Sequence, residues 1–183
     1  MPVFTVDQTA EIQKDAESSG GKYLNPSKFT KTKRLRIFGE AISGYEIWTE
    51  DPENPDKYIC NRYELKPKEL PEGVRVDQYG KTEGFKRFVS LIVWDYDEED
   101  FKILSMTQKT LYGRLILLTK DEDWGEPDQY DIKIDKKGEG KKTEYNLNPV
   151  SKKAVSPDIQ EKFEELVCDL PKMFDNKDPW GQD

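Results

Sequence analysis

The sequence predicts a mainly β fold: a five-stranded, partly open barrel with one helix between its third and fourth strands. Three observations carry this. Short runs of alternating apolar and polar residues are bounded by glycine, proline and acidic turns. A single helical period, Leu111, Leu115 and Leu118, falls between two predicted hairpins. With 34 % hydrophobic against 36 % charged residues in a chain of 183, there is enough apolar matter for one core, with polar ends outside it.

Residues 1–21, closing on Ser18-Ser19-Gly20-Gly21, read as a flexible leader, because small polar residues follow one another without apolar period. Order is expected over 22–157. The run Lys33 to Phe38 alternates, Gly39 interrupts it, and Ala41 to Thr49 resumes with Ile42, Tyr45, Ile47 and Trp48, the pattern of a long strand bent at a bulge. Residues 50–84 carry Pro52, Pro55, Pro67 and Pro71 and read as an insertion or long loop with one short strand, Lys57 to Leu65. Phe85 to Trp94 is apolar on both parities, as a central strand is, and pairs across the acidic turn 95–100 with Phe101 to Met106. A helix then runs from an N-cap at Thr107 through Lys120. A second hairpin joins Tyr130–Ile134 to Thr143–Leu147 through the basic tip 136–142. The last segment, 158–183, reads as a short helix from Asp158 to about Leu170 and an acidic tail. Long bent strand, hairpin, helix, hairpin is the strand order of the OB-fold, in which the face of strands two and three is flanked by the first and last loops.

Composition removes several activities. With no His there is no Ser-His-Asp or Cys-His nucleophile and no imidazole acid or base. Two thiols, Cys60 and Cys168, cannot build a structural zinc cage, and their separation suits neither a CxxC redox pair nor a disulfide framework. No metal or cofactor is expected. The first residues lack an apolar signal core, and no run approaches the roughly 18 apolar residues of a membrane span. A soluble cytoplasmic protein with reduced thiols and no membrane partner is the expectation.

A net charge of −8 argues against a polyanion partner until its distribution is followed. From Lys22 to Phe38 there are six cations and no carboxylate, and lysines gather again over 133–153. Acid concentrates in 95–100, 121–123 and the tail. The basic stripes coincide with aromatics, which is what a single-stranded nucleic acid needs: cations for phosphate and flat rings for bases. The candidate contacts are Lys33, Arg34, Arg36, Phe38, Tyr45, Trp48, Lys86, Phe88, Trp94, Lys136, Lys137, Lys141 and Lys142. The competing explanation is that Tyr45, Phe88 and Trp94 pack beneath the insertion. In the tail, Asp175, Asp178 and Trp180 suit docking on a basic pocket of a partner protein.

Other motifs are weaker. Gly138-Glu139-Gly140-Lys141 has Asp135 where a phosphate loop needs glycine, and Asp95–Asp100 lacks the glycine and glutamate of a calcium loop. Pro127-Asp128 with Glu139-Gly140-Lys141 has the residue types of a Mg²⁺-dependent nuclease, a pattern that chance supplies easily in a chain with 37 acids and 29 bases.

Gly21-Lys22-Tyr23-Leu24 leading to Arg34-Leu35-Arg36-Ile37, Gly44-Tyr45-Glu46-Ile47-Trp48-Thr49, Val93-Trp94-Asp95-Tyr96, Ile103 to Thr110, Asp121-Glu122-Asp123-Trp124-Gly125, and Tyr130 to Ile134 with Gly138-Glu139-Gly140 and Thr143-Glu144-Tyr145 follow one another in order. Together they resemble the single-stranded DNA-binding proteins of tailed bacteriophages. The resemblance implies an OB-fold, sequence-tolerant binding of single-stranded DNA without catalysis, a role in phage replication, recombination or repair, and recruitment of replication or recombination proteins by the tail. A protein-binding OB module or virion accessory protein is the alternative from another class, and the nuclease is a third.

Overall fold

A computed structural model describes residues 21–150 and 152–181 of the chain; the leader expected over 1–21 lies almost wholly outside them. The longest element is β2, Lys33–Asp51. It is bent where Gly39 takes φ +66°, and its pairing register with β4 (Lys86–Asp95) slips between Phe38 and Ile42. Only glycine enters that left-handed region without a steric cost, so the bulge expected at this residue is built into the sequence. The bend lets one edge of β2 serve two partners. Residues 33–36 pair with β6 (Asp131–Lys137), and 45–51 pair with β3 (Asn54–Tyr63).

The remaining strands are β1 (Tyr23–Leu24), β5 (Asp100–Met106) and β7 (Glu144–Pro149). The seven form one mixed sheet in the order β1-β5-β4-β2-β6-β7, with β3 paired to β2, and every pair but β1–β5 is antiparallel. The sheet is open, with β1 and β7 at its ends and no pairing between them among the described residues. This departs from a five-stranded barrel. The extra strands come from residues before and after the bent strand: β1 precedes it, and β3, Asn54–Tyr63, follows it where a strand over Lys57 to Leu65 is expected, starting three residues earlier and ending two earlier. Tyr58, Ile59 and Tyr63 supply the β-forming side chains there.

Both faces of β4 and β5 are buried, which explains why their sequences are apolar on both parities. On one face Leu35, Ile37, Leu91, Val93, Leu104, Ile132 and Ile134 pack beneath α1 (Lys109–Thr119), whose Leu111, Leu115 and Leu118 complete the main core. On the other, Phe38, Ile92, Trp94, Phe101 and Ile103 are covered by the C-terminal segment: α2 (Pro157–Glu164), with Ile159 and Phe163, then the 3₁₀ turn Leu170–Asp175, with buried Leu170 and Met173. Burying a side chain such as Leu170 or Met173 contributes about 1.5–3 kcal/mol.

Local signals differ from expectation at the helix ends. The N-cap of α1 is Gln108, not Thr107, and no side chain caps it; the Gln108 side-chain oxygen instead accepts the Thr107 amide. α2 starts at Pro157 behind Ser156, whose hydroxyl accepts the Ile159 amide, and stops at Glu164 rather than near Leu170. Among the described residues no helix is long and apolar enough to cross a membrane.

Candidate nucleic-acid interface

The expected binding residues separate into a buried set and a more exposed set. Phe38 packs on Phe101 and Phe163, Phe88 is fully buried beside Phe174 and Arg62, and Trp94 meets Phe101 edge-on with the Lys162 ammonium 5.1 Å from its ring centre. These three rings cannot stack on bases, because the C-terminal segment already occupies their face. The sequence shows the outward parity of the strands but not that residues far along the chain fold back onto it.

Arg36 is corrected in the same way. It is 4 % exposed and donates to the backbone carbonyls of Asp128 and Lys153 and to the Asp131 carboxylate. Arg34 donates to Asp131 at 2.8 Å with its guanidinium over the Tyr96 ring, and the Tyr96 hydroxyl also donates to Asp131. The cluster satisfies a fully buried carboxylate, as a buried charge requires. Lys33 is bound to Asp95 at 2.9 Å and Asp97 at 3.3 Å. Burial tends to lower its pKa, but the hydrogen bonds and charges of the two aspartates leave it raised. Lys136 donates to the Ser27 carbonyl at 2.7 Å. The cationic stripe of the first strand therefore holds the fold together.

The second set, in which Tyr45 and Trp48 are half-buried and the lysines exposed, gathers on the distal half of β2, the insertion and the β6–β7 tip. Tyr45 lies opposite Arg87 on β4, whose guanidinium sits 4.4 Å from its ring centre and donates to its hydroxyl. Trp48 carries the Arg75 guanidinium at 5.0 Å, and the same group reaches the Tyr58 ring at 5.9 Å. Glu83 fixes Arg75 from behind at 3.0 Å. Strand alternation puts Tyr45 on one face of the β2–β3 ribbon and Trp48 with Tyr58 on the other. A turn closed by the Val76–Thr82 bridge carries Tyr79, 70 % exposed, to within 5.6 Å of the Lys141 ammonium. Insertion and tip therefore meet at Tyr79 and Lys141.

Lys86, Lys137 and Lys142 are exposed, and among the described residues neither they nor Lys141 and Arg87 form an ion pair. Cations held over rings keep both a charge for phosphate and a flat surface beside it. Arg75, Arg87, Tyr58 and Tyr79 are the residues that sequence reasoning missed. Arg87 shares the parity of the apolar Val89, Leu91 and Val93, Tyr58 falls in the short strand expected within the insertion, and Arg75 and Tyr79 fall in its loop. The Asp77-to-Gly80 turn was the available signal: Asp77 accepts the amides of Tyr79 and Lys81, and Gly80 takes φ +77°.

The tail differs most from expectation. Trp180 is half-buried against the second core, and the Lys22 ammonium lies 5.1 Å from its ring. Asp178 accepts the Trp180 amide, and only Asp175 stands exposed without such a contact. The Trp ring is thus docked on its own chain rather than offered to a partner. Of the nuclease residues, Asp128 lies in the 3₁₀ turn Pro127–Gln129 and Glu139 precedes the 3₁₀ turn Gly140–Lys142; among the described residues no three potential ligands cluster. Compared with family models, curated proteins and solved structures, the chain finds no match.

Proposed function

We propose that this chain binds single-stranded DNA without sequence preference, sequestering it during replication, recombination or repair of a phage genome in the host cytoplasm. The observation that carries the reading is the junction of insertion and tip, where Lys141 lies over the exposed Tyr79 ring and Lys137 and Lys142 of the same tip are exposed and form no ion pair among the described residues. Two supports stand beside it. Trp48 and Tyr58 share Arg75 within the same insertion. The order β5-β4-β2-β6-β7, with a helix between β5 and β6, suits an OB-type framework. The contacts lie on the insertion and tip and not on the β4–β5 face, which the C-terminal segment covers.

Binding is sequestration without chemistry: Lys137, Lys141 and Lys142 neutralise phosphates, whose condensed counterions are released to solution, and bases stack on Tyr79, Trp48 and Tyr58. Fluorescence anisotropy of labelled oligothymidine and of an equally long duplex, titrated at two salt concentrations with EDTA present, tests it. Tight, salt-sensitive binding of the single strand with weak duplex binding is expected. Equal affinity for both, or none at low salt, overturns the reading.

A further inference from the structure

The bulge in β2 opens a cleft of about 820 Å³ that shares Arg87 with the binding surface described above and otherwise lies apart from it. Its base is apolar, with Ile37 and Leu91 buried and Val89 and Leu115 beside them. One wall is the bulge, residues 39–41; the other is the C-terminal half of α1. On that half Ile116, at the lip, is 51 % exposed and Leu117 is 62 % exposed. The helix already places Leu111, Leu115 and Leu118 in the core, so its packing leaves no need for two further large apolar side chains in water.

The rim has a sign. Glu40, Glu126 and Asp128 border the cleft, none of them in an ion pair among the described residues, and the single cation there, Arg87, is engaged with Tyr45. Asp121, Glu122 and Asp123 follow directly after the helix. The Tyr130 hydroxyl nearby is held protonated first by its burial and then by the charges of Glu126 and Asp121. Such a rim repels a polyanion and attracts a cation.

We propose that this cleft is a docking site for a partner protein, which inserts two or three apolar side chains from a segment flanked by lysine or arginine. The size agrees, since clefts of roughly 300–1,000 Å³ bury a ligand of that bulk. The exposed Ile116 carries the apolar surface of the cleft out to its lip, as an amphipathic helix laid into a groove needs. The site is independent of the DNA-binding reading and stands or falls apart from it.

The test uses the full chain and two short fluorescent peptides of identical leucine and lysine composition. In one the leucines form a single helical face; in the other they are spread around the helix. Anisotropy at moderate salt should show the first peptide binding about tenfold or more tightly than the second, with backbone amide shifts confined to residues 37–43, 87–91, 112–119 and 126–128. Ile116→Asp, and separately Glu40→Gln with Glu126→Gln, should each weaken that binding about tenfold while leaving the melting temperature unchanged, and the Ile116→Asp variant should bind oligothymidine as the parent does. Equal binding of both peptides, shifts elsewhere, or no binding overturns the proposal. A concentration-dependent dimer that Ile116→Asp abolishes also overturns it, since the occupant is then a second copy.

Discussion

Lys141, at the tip of the β6–β7 hairpin, holds its ammonium 5.6 Å from the ring centre of Tyr79, near the end of the insertion. Two segments distant in sequence thereby form one surface with a charge and a stacking plane. The two side chains should separate experimentally. Lys141→Ala should lower the slope of log affinity against log salt by up to about one, because one counterion fewer is released. Tyr79→Ala should leave the slope unchanged and weaken binding by about 1–3 kcal/mol, the contribution of one stacked base. Titration of each variant with oligothymidine over a salt series checks both.

Trp94 and Met173 belong to the second core and should behave as core residues. Trp94→Ala should cost about 3–5 kcal/mol and Met173→Ala about 2–5 kcal/mol, because each leaves a cavity that its neighbours only partly fill. Chemical denaturation measures the loss, and the fraction that stays folded should bind oligothymidine as the parent does. A C-terminal residue whose removal had no effect on stability would mean the segment does not pack on the sheet.

Alkaline pH should destabilise the fold through groups held protonated. The Tyr96 hydroxyl is pushed up to about 12, first by burial and then by the hydrogen bond it donates to Asp131. Burial pushes the Cys60 thiol to about 12 and the Cys168 thiol to about 11. Each folded value exceeds the unfolded one, so each stabilising contribution is complete below the unfolded pKa and is lost as pH rises through the folded one. Stability should therefore decline from about pH 9 towards about pH 12, and Tyr96→Phe should flatten the part of the decline above about pH 10. At neutral pH both half-buried thiols should alkylate slowly in the native protein and rapidly in denaturant.

The elements were legible where period and turn chemistry agree: the bend at Gly39, the β4–β5 hairpin, the leucine face of α1 and the β6–β7 tip are local patterns. Arg36, Phe38, Phe88 and Trp94 were misplaced for a non-local reason. Alternation shows that a side chain leaves the main core but not whether another segment covers it, and the cover here, Leu170 and Met173, lies in a stretch whose acidic composition suggests a solvated tail. Arg75 falls where proline marks the segment as irregular, and Tyr58, although in an expected strand, meets Arg75 only because that strand pairs with the distal part of the bent β2. Lys137, Lys141 and Lys142 were read as exposed, since a basic hairpin tip offers nothing to bury them.

Photo-crosslinking of a bromodeoxyuridine oligonucleotide, with the attached peptides identified by mass spectrometry, tests the central claim most directly. Crosslinks at Tyr79, Trp48 or Tyr58 and in the 136–142 tip are the predicted result. Crosslinks confined to Phe88, Trp94 or Phe101 would show that the C-terminal segment leaves and the β4–β5 face binds instead, contradicting the account.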